Sequence, residues 1–159
     1  MYSYDYSGGV FLDYKRNQHS VYLLTYHAVF VVKYRKRVLT QEMLDYMKNQ
    51  VSHLMEGYGG SLIDLNGEAD HIHILFELPP RSVLSNLICN LKTQTSRELR
   101  ANFKTELSSQ LWGGALWTQS YFVTTTGGAN IETVHKYIQS QGEEKPKRKY
   151  TKKTPSQAH

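Results

Sequence analysis

The run Glu68-Ala69-Asp70-His71-Ile72-His73-Ile74-Leu75-Phe76 limits what this chain can become more than any other stretch. Histidine and apolar residues alternate with a period of two, the signature of a β-strand whose successive side chains point to opposite faces. Ile72, Ile74, Phe76 and Leu78 make one apolar face that must lie on a core. His71 and His73 then share the other face, and two imidazoles side by side on a rigid strand are half of a divalent-metal site. Taken alone, such a pair is more commonly two surface or hydrogen-bonded histidines, so the rest of the chain has to supply the argument.

Asn66-Gly67 stands just upstream, a dipeptide that favours tight hairpin turns. It predicts a short strand over residues 61–65 running antiparallel to the histidine strand over about 69–78. Before it, Thr40 is an N-cap with Glu42 in the first turn, and Leu44, Met47, Val51, Leu54, Met55 and Tyr58 recur at helical spacing. That is an amphipathic helix over 41–58, stopped by glycines. From Ser20 to Tyr34 both alternating faces are largely apolar, as in a central strand covered on both sides. Residues 1–19 show no periodicity and are read as an arm, mobile unless it docks on a partner.

Pro79-Pro80 ends the histidine strand, and Ser82 is placed to cap a second helix with Leu84, Leu87, Ile88, Leu91 and Leu99 as its buried stripe. Lys92, Arg97, Arg100 and Lys104 lie off that stripe. A strand from Leu116 to Thr124 follows, then Gly127-Gly128 and a last helix from Asn130 to Gln141. The order β-α-β-β-α-β plus a terminal helix predicts an α+β, ferredoxin-like antiparallel sheet with helices on one face. The domain spans 20–142, and the basic tail over 143–159 is expected to be disordered.

With 159 residues the chain suits one domain, and its single cysteine, Cys89, excludes an intrachain disulfide framework and a cysteine-rich zinc site. No apolar run reaches membrane-spanning length. The net charge of +5 and a pI of about 9.2 favour a polyanionic partner. Lys33-Tyr34-Arg35-Lys36-Arg37 concentrates that charge around an aromatic residue, a composition suited to phosphates and unpaired bases. With Lys92, Arg97 and Arg100 these are the candidate contacts to a polyanion such as a nucleic acid. On the last helix, Ile131, Val134 and Ile138 make a stripe for packing, while Tyr137 and Gln141, four apart, share a flank beside it.

In order and spacing the chain resembles the single-tyrosine HUH transposases of the insertion-sequence 200/605 family, which move small elements as single-stranded DNA. The resemblance covers most of residues 20–142. It rests on Tyr26-His27 running through Val31 to Lys33-Tyr34-Arg35, on Asp70-His71-Ile72-His73, and on Leu111-Trp112-Gly113-Gly114. It continues through Leu116-Trp117, Ser120-Tyr121-Phe122 and Tyr137-Ile138-Gln139-Ser140-Gln141, with no departure at the chemical positions. By that resemblance His71, His73 and Gln141 hold a divalent metal and Tyr137 is the nucleophile. Gly127 and Gly128 serve as a hinge for the Tyr137 helix, which docks on a partner subunit in a homodimer with shared active sites. The expected substrate is single-stranded DNA with hairpin ends, in the cytoplasm of a bacterial or archaeal cell and at the nucleoid when acting.

The residues agree with the chemistry so implied. Two neutral imidazoles and an amide oxygen make an N/O site with open positions, suited to Mg²⁺ or Mn²⁺. The chain has no G-x-x-x-x-G-K phosphate loop, and strand transfer through a phosphotyrosine needs no nucleotide. Two readings stand beside this one. A non-catalytic ferredoxin-like module would bind structured RNA or DNA through stacked aromatics, and a domesticated HUH nuclease would act on repeated palindromes. A metal-dependent hydrolase fits less well, because no acid is spaced to serve His71 and His73 as a base. Asp70 is assigned to the face opposite the histidines, and Glu77 is read as an exposed strand-end acid.

Overall fold

A computed structural model describes residues 3–4, 10–11, 14–111, 113, 115–125 and 140. The N-terminal region holds two small antiparallel pairs, β1 (Ser3–Tyr4) with β2 (Val10–Phe11) and β3 (Lys15–Arg16) with β4 (Val21–Tyr22). The turn between β3 and β4 closes on Asn17, whose Oδ1 accepts from the backbone of His19 and Ser20 (3.0 and 2.8 Å). Lys15 ties this hairpin to the main sheet by an ion pair with Glu77 and a 3.0 Å bond to Ser61 Oγ. Part of the expected arm is therefore docked structure, made by side-chain bonds rather than by hydrophobic pattern.

β5 (Thr25–Val31) follows, then α1 (Gln41–Gly57), β6 (Ser61–Glu68) and β7 (His71–Glu77). α2 (Leu84–Asn102), a short α3 (Lys104–Ser108) and β8 (Phe122–Thr125) complete the described elements. The four long strands form one sheet in the order β6-β7-β5-β8, every neighbour antiparallel. This is the α+β, ferredoxin-like sheet expected, with α1 and α2 sharing one core. Ala28, Phe30, Leu65, Ile72, Ile74 and Phe76 from the sheet meet Met43, Met47, Val51 and Met55 of α1 and Leu87, Ile88, Leu91 and Leu99 of α2. Each fully buried side chain of that size contributes about 1.5–3 kcal/mol. Thr40 caps α1 as the sequence suggests, its Oγ1 accepting from Met43 N at 3.3 Å. Among the described residues no helix is long and apolar enough to cross a membrane.

Several local expectations are corrected. Asn66 and Gly67 lie inside β6, and the hairpin turns at Ala69–Asp70 instead. Gly67 is required for close approach: a Cβ there would run into the His71 carbonyl and come within 2.9 Å of Ile72 Cα. Ser82 does not cap α2. Its hydroxyl donates to Tyr58 O (2.9 Å), and the helix starts behind Val83 with no side-chain cap. Lys104 belongs to α3, because the chain breaks at Phe103. The predicted strand over 116–124 is a single bridge, Trp117 with Val32, followed by the shorter β8. Thr95 fills the gap in the α2 stripe, buried, with its hydroxyl accepting from Trp117 Nε1 at 2.9 Å.

Between β5 and α1 the chain makes one tight turn over Lys33–Arg35, in which Tyr34 and Arg35 take φ of 59° and 51°. L-residues resist this left-handed region by about 1–2 kcal/mol each. Hydrogen bonds hold the turn in place from several sides. Val32 N donates to Asp70 O (2.8 Å), Lys33 N to Leu116 O (2.8 Å) and Arg35 N to Val32 O (2.8 Å). Val38 N and Leu39 N both donate to Ala69 O at 2.9 Å.

Candidate metal centre

The pairing register decides what surrounds the histidines, since residues directly opposite on adjacent strands share a face. His71 stands between Glu68 of β6 and Val31 of β5, and His73 between Asn66 and Val29. His27 of β5 falls on the same face, opposite Leu75, with Thr124 of β8 beyond it. Val29 and Val31 are fully buried yet lie outside the core cluster, so the histidine face is enclosed there too.

The two predicted ligands are brought together as the alternation requires. Their ring centroids are 5.0 Å apart and the rings cross at 80°. His71 is 7% exposed, and its Nδ1 lies 2.8 Å from Asp70 Oδ1. Asp70 is thus not on the far face. It sits in the turn, outside the strand's alternation, and folds back onto the ring. Its other oxygen, Oδ2, accepts from Arg35 Nε at 3.3 Å. Burial pushes the Asp70 carboxyl up, but the hydrogen bond and charge of His71 together with Arg35 outweigh burial and hold it below its usual value. An ionised Asp70 can only accept at this contact, so His71 Nδ1 donates to it and Nε2 is the nitrogen left to meet a cation.

His73 Nδ1 lies 3.0 Å from His27 Nε2, and the two rings are stacked with centroids 5.1 Å apart. Burial lowers the pKa of His27 and favours its neutral form. The sequence offers His27 only within the Tyr26-His27 motif and assigns it no role, because β5 reads as apolar on both faces and only the register shows which neighbour it meets.

Glu68, Asp70 and His71 each bring one ligand atom to within 4.8 Å of the others. Acids do therefore stand at the site, contrary to expectation: Glu68 arrives by cross-strand pairing and Asp70 by the turn. Nitrogen and oxygen donors of this kind fit Mg²⁺ or Mn²⁺. Asp70 is engaged with His71 and Arg35, which makes it an orienting group and leaves Glu68 as the carboxylate facing outward, since it is exposed. Glu77 is remote, about 20 Å along the strand at about 3.3 Å per residue. It is only 18% exposed and serves Lys15 and Ser61. Tyr137, Gln141, Gly127 and Gly128 lie outside the described residues. Ser140, between the first two, is helical and exposed.

Asp70→Asn isolates the orienting role, because the turn itself is held through backbone carbonyls. Its Mn²⁺ affinity, read by titration, is expected to fall about 10–100-fold with the fold retained. Unchanged affinity would make the carboxylate irrelevant to the ring.

The cationic residues divide into two groups. Tyr34 is 62% exposed, and Lys36 and Arg37 are exposed. Lys33 lies 5.3 Å from the Tyr34 ring centroid. Lys33, Tyr34 and Lys36 line a cleft of about 340 Å³ with Ser109, Gln110 and Leu111. Arg35 is committed through Nε to Asp70 while its side chain stays 36% exposed. Lys92 lines a cleft with Arg97 and Arg100 and is also engaged within the fold. Its ammonium donates to the carbonyls of Thr118, Gln119 and Ser120 at 2.5, 2.8 and 3.2 Å, which uses all three of its protons. Burial lowers its pKa, with Cys89 opposing. Arg97 and Arg100 line a second cleft, of about 530 Å³, with Ser96, Leu116 and Trp117. Arg97 is paired with Glu98 at 3.3 Å and 67% exposed, whereas Arg100 Nε and Nη2 are buried with no hydrogen-bond partner among the described residues.

Residues 20–141 match a family model described as "Transposase IS200 like". The chain is 32% identical over 130 residues to the ISDra2 transposase TnpA of Deinococcus radiodurans, covering 82% of this chain and 92% of that protein. It is 30% identical over 132 residues to the transposase for insertion sequence element IS200 of Salmonella typhimurium, covering 83% and 86%. A crystal structure from Deinococcus radiodurans R1 superposes with a TM-score of 0.70 at 30% identity, covering 80% of this chain and 97% of that one.

Proposed function

This chain belongs to the IS200-like transposase family, and from that premise we propose that it cuts and rejoins single-stranded DNA at hairpin-bearing ends through a phosphotyrosine. The observation that carries the reading is the pair His71 and His73. Their rings are crossed on one rigid strand, and His71 Nδ1 is held by the Asp70 carboxylate.

Tyr137 supplies the phenol. Its oxygen attacks the scissile phosphorus, the 3'-oxygen leaves with a proton, and a 5'-phosphotyrosine link forms. In the return step a free 3'-OH attacks that link and the phenol departs, so bond energy is kept and no nucleotide is consumed. His71 and His73 present Nε2 toward the phosphate, and Gln141 is the proposed third donor. A bound Mg²⁺ or Mn²⁺ would polarise a non-bridging oxygen and fix the phosphate for in-line attack. Val29, Val31 and Phe122 give the histidine face an apolar strip beside the rings. We propose that the helix bearing the stripe Ile131, Val134 and Ile138 comes to the histidine face from a second copy of the chain, with Gly127-Gly128 as hinge.

Lys33, Lys36 and Arg37 carry backbone charge next to the site, Tyr34 offers an exposed ring to an unpaired base, and Arg35 spans both. Arg100, whose buried Nε and Nη2 have no hydrogen-bond partner among the described residues, is the further cation we assign to a phosphate. Arg100→Ala is expected to weaken hairpin-DNA binding and to reduce the slope of log K against log salt by about 0.7–0.9. An unchanged slope would return Arg100 to the fold alone.

The direct test incubates the protein with end-labelled single-stranded hairpin DNA and Mg²⁺ or Mn²⁺. An SDS-resistant protein–DNA adduct that disappears on chelation supports the reading. Equal reaction with the duplex form counts against the single-strand pathway.

A further inference from the structure

His27 has no part in the chemistry described so far, yet it is the group bonded to a metal-site histidine from a neighbouring strand. Its Nε2 lies 3.0 Å from His73 Nδ1, its ring stacks on that of His73 at 23°, and it is half-buried. His71 has a matching arrangement, with Asp70 Oδ1 2.8 Å from its Nδ1. A neutral imidazole carries one proton on two nitrogens, so an acceptor at Nδ1 holds the proton there and presents the Nε2 lone pair outward.

We propose that His27 is a positioning residue that holds His73 as the Nδ1–H tautomer, so that His73 meets a divalent cation through Nε2. The proposal rests on the assignment of His71 and His73 to the metal. His73 Nδ1–H donates to His27 Nε2, which requires His27 to carry its own proton on Nδ1. The stacking fixes the plane of the acceptor, and β5 pairs with β7 residue for residue from Thr25–Glu77 to Val31–His71. The acceptor is thereby as rigid as the ligand. The two metal-site rings are consequently unequal: His71 leans on an anion, whereas His73 leans on a neutral ring. A carboxylate at both positions would strengthen each ligand but place another buried negative charge between the strands.

Two variants of the full chain separate this role from packing. His27→Phe keeps a stacked ring and removes the acceptor, while His27→Gln returns an acceptor near the position of Nε2. With ¹⁵N-labelled histidine, long-range ¹H–¹⁵N correlations report the tautomer of His73 in the metal-free protein. The wild type is expected to show Nδ1–H. His27→Phe is expected to shift the ring toward Nε2–H and to weaken Mn²⁺ binding about 10–100-fold by paramagnetic resonance titration. His27→Gln is expected to recover most of both. An Nδ1–H tautomer that persists in His27→Phe, with Mn²⁺ affinity unmoved, overturns the proposal. Equal losses in both variants also overturn it, since packing alone would then explain them. Failure of the wild type to bind Mn²⁺ overturns the underlying metal reading, and this proposal with it.

Discussion

Tyr137→Phe is expected to abolish the covalent adduct with single-stranded hairpin DNA while leaving hairpin binding intact. Phenylalanine keeps the aromatic ring and removes only the oxygen that, in the proposed reaction, forms the bond to phosphorus. Loss of a nucleophile from a unit that works together costs roughly 10⁴-fold in rate or more. Gel separation after SDS and proteinase treatment reads the adduct, and a binding assay on the same hairpin reads the rest. An adduct undiminished in Tyr137→Phe would require another nucleophile and would sink the assignment.

The second large effect is expected of His71→Ala. The change removes one of the two rings proposed to hold the phosphate-binding cation and takes from Asp70 the hydrogen bond that helps keep it ionised, leaving Arg35 as its side-chain partner. Cutting is expected to fall by more than about 100-fold, beyond the range typical for groups that only orient a ligand. Mn²⁺ titration of the variant should show the same ordering: weaker than Asp70→Asn, which keeps the ring. Wild-type cutting by His71→Ala would take this ring out of the site. Substitution at His73 removes the other ring and serves as an independent check.

The histidine face was legible because strand periodicity is a local rule: once β7 was recognised, His71 and His73 had to lie together, and Ile72, Ile74 and Phe76 had to face the core. The α1 helix was legible for the same reason, down to its Thr40 cap. What escaped was set by contacts between distant segments. Asn66-Gly67 has the chemistry of a turn, but the backbone of His71 and Ile72 passes so close to Gly67 that the glycine is needed within the strand. Asp70 was assigned by alternation one residue beyond the strand, where alternation no longer applies. Lys92 was read as a free cation since nothing local shows three carbonyls arriving from Thr118–Ser120. Glu68 and His27 needed the register of three strands, which no single stretch contains.

The bonds that lace the Ala69–Asp70 turn to the segment from Val32 to Leu39 have a consequence for timing. Val32, Val38 and Leu39 are buried, and their amides donate to the two turn carbonyls. Releasing the turn means breaking these bonds together and uncovering apolar residues, an opening comparable to unfolding part of the core. Hydrogen exchange at these three amides should therefore be as slow as in the middle of β7. Protection of that kind would mean that the histidine half of the site is finished before DNA arrives. Substrate would then meet a prebuilt cradle.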